Sequence, residues 1–458
     1  MLSGGGTTCF ITDDTGADFT VDVDADGVDK VVVQSGADIG TLTVLGGTGD
    51  VRVVIADGAI AENVSIQGLN SAGVNAAESL VVYGEVTDSV VFDGAGGDDV
   101  YGSFANSFVG DLAFFGGGGD DRITILGDTD FFGPAAGIDL GEGNNGAVIT
   151  GGAFVGGTLQ ITAGGLGNDA VALRGGSTFD DVTVDFVDGS NRFDFVGDAV
   201  ALSLTVTGGE AADLIAFNDS EIIGDLLLST GSGDDRVAFQ SDMGGAVIGL
   251  NQTINTGDGD DRVTFEEVSV GGSQTIDLGT STNRDAVRFG VDTIDGSSTV
   301  TFDGTAIITE NGQRTVGGNV SIVDAFESSL FLRLDGGSDI AGNLDISANE
   351  ASVITVNASI GFGGVFIALD GSNDDIINLT NLSVGSGGDL EVIAGGGNDE
   401  LYLDGVVAGG FLFADMGSGD DFVDNDDLTL EDDAEFDGGV GFDTITDPSV
   451  GSQSGFEA

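Results

Sequence analysis

Two adjacent carboxylates behind a glycine-rich turn recur along this chain. GGGGDDRIT occupies residues 116–124, GSGDDRVAF begins at Gly231, GDGDDRVTF at Gly257, GGGNDELYL at Gly395 and GSGDDFV at Gly417. Carboxylates and turn carbonyls are hard oxygen donors. The chain has no His, and Cys9 is its only thiol, so this donor set suits hard cations. Ca²⁺ is favoured over Mg²⁺, because turns supply many flexible oxygens. Glycine permits left-handed backbone, which aims carbonyls at an ion with no Cβ in the way. Paired Asp residues also occur in glycosidases, but they recur here too often to mark one catalytic site.

The composition agrees with an acidic but folded chain. Of 458 residues, 78 are acidic, 62 Asp and 16 Glu, against one Lys and ten Arg, for a net charge of -67. Asp is the turn-forming acid, so the excess of Asp places charge in turns. Disorder would fit such a charge, but 40% of the residues are hydrophobic and 29 are Phe, enough to bury a large core. Nucleic acid is disfavoured as a partner, since phosphate would be repelled. A lone Cys9 allows neither a disulfide framework nor a zinc cluster within one chain. No window reaches the length of a membrane span. The first residues, MLSGGGTTCF, lack the basic region and apolar stretch of a cleavable signal. Export would then be signal-less, or the sequence a mature or partial chain.

The turns are periodic. Counted from the leading Gly of each turn, which opens a GxG in most of them, they fall at Gly94, Gly117, Gly141, Gly165, Gly189, Gly209, Gly231, Gly257 and Gly279, then at Gly371, Gly395, Gly417 and Gly439, with gaps of 20 to 26 residues inside each set. After each turn comes an alternating run such as Val237 and Phe239 or Val263 and Phe265, with Arg236 and Arg262 on the other face. A loose connection, a small-residue corner and a second run follow. Such units have no room for a helix and too few strands for a propeller blade; a sandwich or propeller is the alternative. The pattern predicts an all-β fold: a single elongated parallel β-solenoid of about 22–26 residues per coil and roughly 19 coils, about 90 Å long. Phe217, Phe239, Phe265 and Phe289 should stack inside it. Four segments are expected: 1–93, coils with weak Gly-Asp turns; 94–290, regular Gly-Asp coils; 291–370, degenerate coils; and 371–458, Gly-Asp coils and an acidic cap.

Stacking would line up the acids. At about 5 Å, each like pair repels by about 0.8 kcal/mol in bulk water and about 3 kcal/mol at an effective dielectric near 20. Such a seam must open or fill with cations. These residues resemble the nonapeptide G-G-x-G-x-D-x-U-x of haemolysin-type (RTX) calcium-binding repeats. Residues 116–124, 164–172 and 438–446 fit in full; 93–101, 230–238, 256–264, 394–402 and 416–424 miss only the first Gly. The resemblance implies that the sixth-position Asp binds Ca²⁺ with turn carbonyls completing the shell. Carried over, the ligands are Asp98, Asp121, Asp169, Asp235, Asp261, Asp399, Asp421 and Asp443, with Asp375 as a weaker match. Tandem nonapeptides in that family differ from the single one per longer coil here. Asn144 and Asn145 take the acid positions of GEGNNGAV, and DGSNRFDF near Gly189 departs further, so an ion row would break there.

The function these features predict is non-enzymatic. It is a secreted or cell-surface structural or adhesive repeat rod, stabilised by extracellular Ca²⁺, with surface glycans or other surface or matrix proteins as partners. One alternative is a polysaccharide lyase or epimerase on a parallel β-helix; a basic patch on one flank would favour it. Another is a salt-adapted acidic surface protein without specific metal sites, which predicts acids over the whole surface rather than along one edge.

Overall fold

In a parallel sheet every strand pairs with its equivalent one coil away, so a 22–26-residue repeat of short β-branched runs closes on itself as a solenoid. The computed structural model describes residues 8–23, 29–68, 76–104, 107–127, 130–131, 135–241, 244–325, 329–349, 352–446 and 451–456. It is an all-β parallel solenoid of about 19 turns. The chain divides into two compact units, residues 1–225 and 226–458.

In the first unit, ten strands stack in register as one sheet. They run from Thr8–Ile11 and Lys30–Val33 through Val51–Ile55, Glu78–Val82, Val100–Phe104, Arg122–Leu126, Gly146–Thr150, Ala170–Arg174 and Arg192–Val196 to Leu214–Asn218. A second series includes Asp38–Leu45, Ile60–Gln67, Glu85–Asp93, Phe108–Phe115 and Thr178–Phe186. In both, alternate side chains are buried. Val53, Leu80, Tyr101, Ile123 and Ala147 form one inner column, and Phe92 stacks on Phe114 at 5.0 Å.

In the second unit the equivalent sheet begins Arg236–Gln240, Arg262–Phe265, Asp285–Phe289 and Ala306–Glu310. The connection expected to be loose holds a third, short parallel series: Ala246–Ile248, Val268–Val270, Thr293–Ile294 and Thr315–Val316. In most coils of the first unit the same stretch is fused to the longer strands, and a register shift marks the bend, as between Ala61 and Asn63; Asp130–Phe131 and Glu221–Ile222 are separate. Runs of two or three residues are too short for alternation to reveal.

The expected aromatic stack is present from Phe239 to Phe289. Phe239, Phe265 and Phe289 are fully buried, with successive ring centroids 5.1 and 5.4 Å apart. Phe217 packs within the first unit against Phe193 and Phe195. Above Phe289 the column continues as Glu310, and the Arg314 guanidinium lies 3.8 Å from the Phe289 centroid. Arg314 is buried and donates to Gln274 Oε1 at 2.7 Å and to Ser298 Oγ. Burial pulls its pKa down to about 10, against the pull of Asp292 and Glu310. The degenerate coils thus carry a polar network in their core.

Candidate metal-binding edge

The Gly-Asp turns precede the first strand of each coil and stack along one edge of each unit. In several turns two glycines have positive φ: Gly117 and Gly119, Gly231 and Gly233, Gly417 and Gly419. A Cβ at Gly257 or Gly419 would also collide with the carbonyl of Gly231 or Gly397 one coil away. Glycine is therefore required twice over, for the left-handed backbone and for the coil spacing.

The two acids behind the glycines do different things. The second is buried. In the first unit this inner row runs Glu78, Asp99, Asp121, Asn145, Asp169, Asn191 and Asp213. Each Oδ1 accepts the main-chain N–H of the row's previous member, at 2.6 to 3.0 Å. In the second unit the same ladder links Asp235, Asp261 and Asp285, and then Ser352, Asp375, Asp399, Asp421 and Asp443. Between these two stretches the main-chain carbonyl of Thr305 takes over from a side chain.

The first acid is exposed and bonds the other way. Asp98 Oδ1 accepts from the Asp120 N–H, Asp120 from Asn144, Asn144 from Asn168 and Asn168 from Ser190. Asp234 accepts from Asp260 and Asp374 from Asn398 in the same way. The doublet therefore ties each turn to the coil before it and to the coil after it.

Of the nine residues expected to bind metal, Asp121 and Asp169 lie in the inner row of the first unit, and Asp235, Asp261, Asp375, Asp399, Asp421 and Asp443 in that of the second. Asp98 is the exception to the expected register. It lies in the outer row, and Asp99 holds the inner position, because Gly94 rather than Asp93 aligns with Gly116. Glu78, Asp213 and Asp285 join the row without matching the motif, since their turns lack its second glycine. Their spacing gives them away: Asp213 follows Asn191 by 22 residues and Asp285 follows Asp261 by 24. The expected break at Asn145 and near Gly189 does not interrupt the hydrogen-bond ladder, which passes through Asn145 and Asn191.

Those two asparagines show what the inner position needs. Asn145 Nδ2 donates to the carbonyls of Gly141, at 3.1 Å, and Gly143; Asn191 Nδ2 donates to those of Asp188 and Gly189 at 3.1 and 2.9 Å. The second side-chain atom thus faces turn carbonyls. Where the residue is Asp, that atom is an oxygen. Oδ2 of Asp99, Asp121, Asp169, Asp261, Asp285, Asp399, Asp421 and Asp443 is buried with no hydrogen-bond partner. A carboxylate oxygen facing carbonyls lacks a positive partner, either a proton or a cation.

The electrostatics agree. Burial, more than mutual repulsion, pushes Asp121, Asp169, Asp261 and Asp421 up to about 6 and Asp285 and Asp399 up to about 7. Neighbouring carboxylates add to this, such as Asp98 and Asp120 beside Asp121. Asp99 and Glu78, buried together, are both raised by desolvation. In the outer row, Asp260 is drawn down to about 2 by donors from Asn283.

Among the described residues no three acidic, His or Cys side chains converge on one point. A cation here would take one carboxylate per turn and complete its shell from main-chain carbonyls, a donor set that fits Ca²⁺. Among the described residues, no helix is long and apolar enough to cross a membrane. The fold and this edge define a class, the parallel β-solenoids stacked through Gly-Asp turns. In comparison with known proteins, no family model, curated protein or solved structure matches the chain.

Proposed function

We propose that this chain is a non-enzymatic structural or adhesive repeat protein, secreted or at the cell surface, whose solenoid is stabilised by Ca²⁺ along the stacked turn edge. The observation that carries this reading is the row of buried Oδ2 atoms without a hydrogen-bond partner, at the position where asparagine donates to turn carbonyls. Ca²⁺ supplies the missing positive partner and leaves the carboxylates ionised. Weak sites of this kind fill at the millimolar calcium of extracellular fluids. The resemblance to haemolysin-type repeats supports the same ion. Thermal unfolding followed by circular dichroism, in EDTA and then in 5 mM CaCl₂ or MgCl₂, tests it. A melting temperature raised by calcium well beyond magnesium is expected; identical curves in all three would refute it.

The lyase or epimerase reading gains one observation, since the bases of the first unit gather on one face. The chain has no His, the Tyr101 hydroxyl is buried and pushed up by desolvation, and Tyr402 is held up by the hydrogen bond it donates to Glu400. The salt-adapted reading predicts acids on every face, and that same face of the first unit is nearly free of them.

A further inference from the structure

Every base of the first unit faces outward from one sheet. Lys30, Arg52, Arg122, Arg174 and Arg192 occupy outward positions of the ten-strand series from Thr8–Ile11 to Leu214–Asn218. Lys30, Arg52, Arg122 and Arg192 share one column of that sheet. Asp194 is the sole acid among the outward strand positions, and Arg192 neutralises it at 3.0 Å. The remaining outward positions are mostly apolar or small. Phe10 is 59% exposed, Tyr83 41% and Val100 38%, and Tyr83 stacks on Phe104 at 5.5 Å. In a chain of net charge -67, the strand positions of this face are cationic and apolar, bordered by the exposed Asp98 and Asp120 of the adjoining turns beside Arg122.

The second strand series of the same unit is the reverse. Its outward positions include Asp93, Asp111, Asp139, Asp181 and Asp185, which share the coil spacing of the basic face, and none of the unit's bases. Ten strands at about 4.8 Å, each about 17 Å long, give the basic face roughly 700 Å². A standard interface buries about 800 Å² per partner. At physiological salt, screening over about 8 Å leaves the charges of the contacting faces, rather than the net charge, to decide association. Guanidinium groups match carboxylates bidentately.

We infer that the basic, apolar sheet face of residues 8–218 docks on the carboxylate-bearing face of a second copy of this chain. The two faces differ, so the contact is heterologous and propagates into an open lateral array rather than closing as a dimer. This assembly does not depend on the calcium reading.

Sedimentation of the full chain in 5 mM CaCl₂, over a range of concentration and salt, tests it. An open series of oligomers that dissolves as salt rises is expected. Two variants separate the faces: Arg52→Glu, Arg122→Glu, Arg174→Glu and Arg192→Glu together, and Asp111→Lys, Asp139→Lys, Asp181→Lys and Asp185→Lys together. Each should stay monomeric with wild-type circular dichroism, and a 1:1 mixture should assemble. The wild-type chain gives a second reading, because Lys30 is the only lysine. Carbodiimide should join Lys30 to a carboxylate of the second strand series of another copy. A wild-type chain that is monomeric throughout and yields no such cross-link overturns the inference. So does a monomer that instead binds polygalacturonate through these arginines, which would assign the face to an acidic glycan.

Discussion

An asparagine in the inner row donates to its own turn, whereas an aspartate can only accept unless it is protonated. Asp121→Asn should therefore satisfy the turn carbonyls without an ion. In EDTA it should stabilise the chain by about 1–3 kcal/mol, the cost of a buried unsatisfied polar atom, and it should lower calcium uptake by about one site. Denaturant unfolding in EDTA checks the first outcome and equilibrium dialysis the second. The motif made Asp121 and Asp169 legible, because turn glycines, acid and alternating strand all follow the nonapeptide. It misplaced Asp98 by one residue, because an Asp-Asp doublet satisfies the pattern in two registers. It passed over Asn145 and Asn191, which keep the hydrogen bond while lacking the charge the motif specifies.

Each coil depends on glycine where it turns and on a filled column inside. Gly257→Ala meets both a positive φ and the Gly231 carbonyl, whereas Gly176→Ala meets a positive φ with nothing within 4 Å. Gly176→Ala should cost about 1 kcal/mol and Gly257→Ala clearly more, read as denaturant midpoints under the same buffer. Arg314→Met should destabilise by about 3–5 kcal/mol, because it leaves Asp292 and Glu310 buried without their cation; a midpoint within error of wild type would show that the network is dispensable. Period-two alternation made the two longer strand series readable. The third was hidden, since two or three residues such as Thr293–Ile294 carry too little pattern. Arg314 was hidden for a different reason: nothing in its local sequence shows that a charged side chain turns inward onto Phe289.

Over the whole molecule, the raised carboxyls set the pH dependence. Folded-state values of about 6 to 7 exceed the ordinary 3.8, so the folded, calcium-free chain holds these protons more tightly than the unfolded chain. Their contribution to stability is fully present below about pH 4 and is lost as pH rises through 6 to 7. In EDTA the chain should be more stable at pH 5 than at pH 8, and saturating CaCl₂ should narrow or reverse that difference, measured by denaturant unfolding at both pH values. The solenoid itself was legible from the spacing of turns alone. The burial of its inner acids was not, because sequence gives their alignment and only packing gives their depth. The most direct test is the number of calcium ions bound per chain at pH 7.5, by equilibrium dialysis against millimolar CaCl₂. Several ions per chain are predicted, falling as inner-row aspartates are replaced by asparagine; no ion bound beyond the nonspecific uptake of the exposed acids, with the inner-row substitutions without effect, would contradict the account.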